Sequence, residues 1–180
     1  MPAWLWIVIG IGAAAVVTAV VVVALSVWNG IAKRHVVQLL GKREEARSVR
    51  RAVEEIVTSL RDGSEARRTE FAEDPDGIER HSLLELTQRA RALAEEVNTM
   101  PMPARIVPAA EALADAADIL AEESGKVGEG SVGPATLEAL DSIDLDRVDR
   151  IFEHAFGLIA AVRDAYHVDD STVFGGGLYI

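Results

Sequence analysis

The chain has 180 residues, a formal net charge of −11, no cysteine and only 5% aromatic residues. Without thiols it forms no disulfide, no thiolate nucleophile and no cysteine-ligated zinc or iron–sulfur centre, and nothing in it asks for an oxidising compartment. Scarce aromatics beside abundant alanine, leucine, glutamate and arginine favour packed helices over a sheet sandwich. The charge is unevenly divided: residues 31–68 hold ten lysines and arginines against six acids, whereas 69–180 hold eight against 23. An acidic body behind a basic stem is repelled by nucleic acid and by anionic lipid, so no nucleic-acid partner is expected.

Residues 1–30 read as a transmembrane anchor. No charged side chain occurs from Pro2 to Ala32, and thirteen of the residues from Trp4 to Trp28 are Leu, Ile or Val. Twenty-five helical residues span roughly 37 Å, enough to cross a hydrocarbon core of about 30 Å with some tilt. Trp4 and Trp6 at one end and Trp28 at the other stand where interfacial aromatic belts belong. A cleaved signal peptide fits less well, because Met-Pro-Ala-Trp lacks a basic n-region, although Ala24-Leu25-Ser26 resembles a weak cleavage site. Lys33, Arg34, Lys42 and Arg43 follow the apolar run, so the N-terminus is expected outside and the domain in the cytoplasm, single-pass in the cell membrane. Together with Arg47, Arg50 and Arg51, the same basic residues are candidates for contact with lipid headgroups. Gly10 and Ala14 have a small-xxx-small spacing suited to a homo-oligomer through this helix, and the stem helix is a second candidate seam.

Residues 31–62 form the basic juxtamembrane helix, with Ala46, Val49, Val53, Ile56 and Leu60 at alternating steps of three and four. Gly41 weakens it near the membrane, leaving open whether anchor and stem are one rod or two pieces. The acidic body, 63–167, packs with that stem. A short helix from Ser64 to Glu73, capped by Ser64, precedes the turn at Asp74-Pro75-Asp76-Gly77. The next helix, Ile78 to about Met100, carries Leu83, Leu86, Ala90, Leu93, Val97 and Met100 on one stripe and ends at Pro101-Met102-Pro103. Another reaches about Ser124, with Pro108 in its first turn, Ala110, Leu113, Ala117 and Leu120 inward, and Gly125 past its end. After a Gly-rich connector, 125–133, come a short helix at Pro134–Leu140 and a last one at Leu145–His167. Asp144 caps that last helix, and Val148, Phe152, Ala155, Ile159, Val162 and Tyr166 line one face. The expected fold is all-α: one anchor helix, a bundle of about four amphipathic helices with coiled-coil-like packing, and an extended tail over 168–180.

Chemistry is harder to find. Bundle metal sites use Glu-x-x-His pairs, and the nearest approach is a single Asp164-x-x-His167. No Gly-x-Ser-x-Gly elbow and no Gly-rich loop before Lys-Ser or Lys-Thr occurs, and Gly125 to Gly130 has no strand leading into it. No catalytic, cofactor-binding or metal residue is therefore assigned, and no cofactor is expected. His81 is placed to pair with Glu85 one turn away. The tail, Ser171 to Ile180, ends in Phe174, three glycines, Leu178, Tyr179 and Ile180, apolar groups suited to docking on a protein partner. A carboxylate on Ile180 with Leu178 two residues earlier suits strand addition into a pocket that captures C-termini. Folding back on the bundle and dipping into the membrane interface are the two other fates for these side chains.

Trp28-Asn29-Gly30-Ile31 leading from a single membrane helix into a helical bundle resembles the membrane exit of LemA-type membrane proteins. The resemblance covers that exit alone, because the longer motif of that family's first cytoplasmic helix is missing from Val36 to Leu60. The expectation is thus a membrane-tethered interaction or scaffold protein at the cytoplasmic face, with the lipid bilayer and a protein as partners. The alternatives are a membrane-anchored hydrolase or metal-dependent enzyme using His154 or His167, and an accessory subunit of a membrane complex.

Overall fold

The computed structural model describes residues 3–128 and 131–168, with side chains from residue 30 onward. Among these residues the helices follow in order as α1 (Ala3–Arg61), α2 (Glu65–Glu73), α3 (Ile78–Thr99), α4 (Val107–Ser124), α5 (Pro134–Asp141) and α6 (Leu145–Ala165). The described residues contain no strand. Among them no helix is long and apolar enough to cross a membrane. The side chains of residues 1–29, on which the anchor expectation rests, lie outside the described set.

The stretches 3–30 and 31–61 are not separate pieces, because α1 runs unbroken for 59 residues and Gly41 does not interrupt it. A Cβ at Gly41 would meet nothing within 4 Å, so this glycine is demanded neither by a turn nor by a close neighbour. From Ala32 onward α1 buries a stripe through Val36, Leu39, Leu40, Ala46, Val49, Val53, Val57 and Leu60. Steps of three and four keep those side chains on one face at 3.6 residues per turn. Each fully buried Val or Leu contributes about 1.5–3 kcal/mol.

Ion pairs give the helix directions. Lys42 meets Glu96 and Arg89 meets Glu45, so α3 descends beside an ascending α1. Arg50 meets Asp149, and Arg47 lies 5.2 Å over the ring of Phe156, so α6 also descends. Glu123 near the end of α4 meets Arg147 near the start of α6, making those two antiparallel. The result is an up-down-up-down bundle of α1, α3, α4 and α6. On α4 the buried face is largely alanine, with Ala109, Ala110, Ala114, Ala116, Ala117 and Ala121, and these small side chains let the backbones of α3 and α6 approach closely.

The short helices close the end far from Ala32. The Arg61 guanidinium donates to the carbonyl oxygens of Leu140, Asp141 and Ile143, at 2.7, 3.1 and 2.6 Å. Those carbonyls belong to the last turn of α5 and the residues after it, where a cation complements the helix dipole. Arg68 pairs with Asp141 at 2.7 Å, and the Gly133 N–H donates to the Ala72 carbonyl at 2.8 Å. Gly133 has φ of 69°, a conformation natural to glycine, and Pro134 starts α5 directly after it.

Caps fall where the side chains called for them. Ser64 Oγ accepts from the Arg67 N–H at 3.4 Å, and Asp144 Oδ1 from the Arg147 N–H at 2.8 Å. Gly125 ends α4, but in the right-handed region (φ −73°) rather than the left-handed one typical of glycine after a helix. A glycine is needed there for another reason: a Cβ would stand 2.7 Å from the Ala121 carbonyl oxygen and 3.3 Å from an Arg91 nitrogen.

Candidate functional site

Of the seven basic residues that are candidates for headgroup contact, Arg47 pairs with Glu44, Arg50 pairs with Asp149 and Arg51 is exposed, and the bundle divides the four nearest the apolar run. Lys33 and Arg34 are exposed and have no ion pair among the described residues. Lys42 instead bonds to Glu96 and, at 3.0 Å, to Glu45; these carboxylates outweigh partial burial and raise its pKa. Arg43 is 8% exposed and pairs with Glu44 at 2.7 Å. Much of the stem's positive charge therefore meets acids of the bundle. The side chains of Trp4, Trp6 and Trp28 lie outside the described residues, as do Phe174, Leu178, Tyr179 and Ile180.

The histidines are dispersed. His81 lies 3.3 Å from Glu85 on an exposed face, and His154 and His167 are exposed on α6 and just beyond it. The Asp164 carboxylate is taken by Arg163 at 2.8 Å, which turns it from a metal-binding pair with His167 to a surface ion pair. Half-buried His35 has a buried Nδ1 with no hydrogen-bond partner among the described residues. No group of three or more His, Asp or Glu side chains that would hold a metal occurs among the described residues.

One recess combines apolar walls with an exposed cation. A groove of about 370 Å³ lies between the turn before α4 and the last turns of α6, bounded by Arg105, Pro108, Ala109, Leu158, Val162 and Tyr166. Its position follows from the antiparallel pairing of α4 and α6, which brings the start of one beside the end of the other. Ala109 is buried, Leu158, Val162 and Tyr166 are half-buried, and Arg105 is exposed at the lip without an ion pair among the described residues. Periodicity places Val162 and Tyr166 on the core face of α6. In the structure they form a wall of the groove, because α4 starts too late to cover them.

Two buried charges were not legible in the sequence. Arg80 is 1% exposed and donates to the Gly128 carbonyl at 2.8 Å and to Ser131 Oγ at 2.9 Å, while its Nε and Nη1 have no partner among the described residues. It ties the glycine-rich connector to α3. Glu123 is likewise 1% exposed and accepts from the Asp144 N–H at 2.7 Å, from Arg147 at 2.9 Å and from Lys126. Burial pushes its carboxyl up, but the Asp144 N–H and the Lys126 and Arg147 cations outweigh that and hold it below the usual carboxylate value. Beside it, Thr87 Oγ1 donates to Ser124 Oγ at 2.8 Å in the buried seam between α3 and α4.

No family model, curated protein or solved structure matches this chain.

Proposed function

We propose that this protein is a single-pass, membrane-tethered scaffold that holds a helical bundle at the cytoplasmic face and docks a protein partner through its C-terminal tail. The observation that carries this reading is the continuity of α1. One helix leads from the charge-free stretch before Lys33 directly into the bundle, where its second half is a wall of the core. A bundle built this way is joined to whatever holds residues 3–29 by an unbroken helix. Exposed Lys33 and Arg34 at the junction fit a cytoplasmic headgroup layer. Among the described residues, no observation favours the hydrolase alternative.

Alkaline carbonate extraction tests the tether: the chain should stay with the membrane pellet, and release into the wash would remove the membrane reading. Protease added to the cytoplasmic side should then digest the bundle and spare residues 1–30. The docking role is tested by pull-down from detergent-solubilised membranes, comparing the intact chain with one ending after Phe174. Capture of a partner by the intact chain alone, with helicity unchanged, is the expected result, whereas identical recoveries would remove the tail from the function.

A further inference from the structure

The groove at the end of α6 lies beside the point where the tail leaves the bundle. Tyr166 is part of its wall, and the tail begins two residues beyond. We propose that this groove is the receptor, within the same molecule, for the chain's own tail, with Phe174 as the side chain that enters it.

Three observations converge on that occupant. The first is reach. From Val168 to Phe174 the chain extends up to about 20 Å, whereas the groove runs along α6 from Leu158 to Tyr166, roughly 12 Å of helix. Phe174 therefore reaches every part of it by folding back along α6, and Gly175 to Gly177 allow the chain to turn again so that Leu178 and Tyr179 follow. The second is fit, because a volume of about 370 Å³ and walls of Pro, Ala, Leu, Val and Tyr suit an aromatic ring with an aliphatic neighbour. The third is charge: Arg105 stands at the lip with no ion pair among the described residues, and the tail opens with its two acidic side chains, Asp169 and Asp170. The tether supplies an effective concentration on the order of millimolar, so weak contacts suffice to occupy the groove. A partner that takes the tail then has to displace it, which makes the groove a competitive latch.

The chain has no cysteine, so disulfide trapping in the full-length protein, reconstituted in nanodiscs, reads the contact directly. One protein carries Val173→Cys with Ala161→Cys in the groove wall; its control carries Val173→Cys with Asp164→Cys, exposed, off the groove and nearer to the tail along the chain. The groove pair is expected to oxidise within single chains about tenfold faster than the control, at a rate independent of protein concentration. Adding Phe174→Ser should bring the two rates together. Equal rates without that substitution mean that the tether alone governs the encounter. A preference that survives Phe174→Ser, or disulfides formed only between chains, likewise overturns the proposal, the latter assigning the groove to a second copy. No partner is present in this experiment, so its failure leaves the docking function standing, and failure of the pull-down leaves the latch standing.

Discussion

Glu123 collects two cations and a backbone N–H where α4 ends and α6 begins, and that concentration of partners makes one residue answerable for a joint of the bundle. Its carboxyl titrates below the ordinary value of 4.5, so folding is favoured by its ionisation. A lowered folded-state pKa gives stability that is complete above the unfolded value and is lost as the pH falls through the folded one. The acid limb of the melting profile, below about pH 4.5, should accordingly flatten in Glu123→Gln when Tm is followed against pH, while Glu123→Ala should cost about 2–3 kcal/mol at neutral pH. That cost lies below the roughly 3–5 kcal/mol of a fully buried pair because Lys126 and Arg147 are themselves partly in water. Neither Glu123 nor Arg80 was legible in the sequence. A charged side chain on an amphipathic helix reads as part of a solvated face, and the burial of these two depends on which connector folds over which helix end.

At the scale of elements, periodicity was a good guide wherever one helix face meets one neighbour. Val49, Val53 and Leu60 on α1, Leu83, Ala90, Leu93 and Val97 on α3, and Val148, Phe152, Ala155 and Ile159 on α6 are buried as their spacing requires. Ile56 and Leu86 are only half-buried, because they lie at the margin of stripes narrower than the count of apolar residues suggests. Connectors were less legible. The stretch 125–133 reads as a glycine-rich connector, yet Gly128 and Ser131 are held by Arg80, Val127 is 1% exposed, and Gly133 bonds to α2. Arg80→Met keeps the volume of the side chain and removes its donors. It should cost about 2–3 kcal/mol and expose the connector, so that trypsin cleaves after Lys126 about tenfold faster in limited proteolysis while the long helices keep their circular dichroism. Unchanged cleavage would show that Arg80 fills space without holding the loop.

Taken whole, the bundle begins almost as soon as the charge-free stretch ends. Ala32, Val36, Leu39 and Leu40 are fully buried, so residues that the sequence assigns to a juxtamembrane stem form the first layers of the core. A version starting at residue 30 keeps every described core side chain and should melt cooperatively. Starting at residue 43 removes those four and forfeits about 5–8 kcal/mol of apolar burial, comparable with the whole stability of a domain this size at about 5–15 kcal/mol. Thermal unfolding followed by circular dichroism should show a cooperative transition for the first and none for the second. The second half of α1 packs against the helices of 63–167, with α3 as its main neighbour and α2, α4, α5 and α6 touching it less extensively.

Because α6 descends beside α1, the tail emerges from the same end of the bundle at which α1 enters it. Only four positions separate Trp28 from the first core residue, Ala32. Under the membrane reading, that end faces the headgroups across a gap of about one helical turn. A partner reaching for the tail would then work in a thin layer beside the bilayer, entering sideways rather than from above. Its encounters would be counted per unit of membrane area instead of per unit of volume, and a protein already confined to that surface would outcompete one diffusing freely in the cell interior.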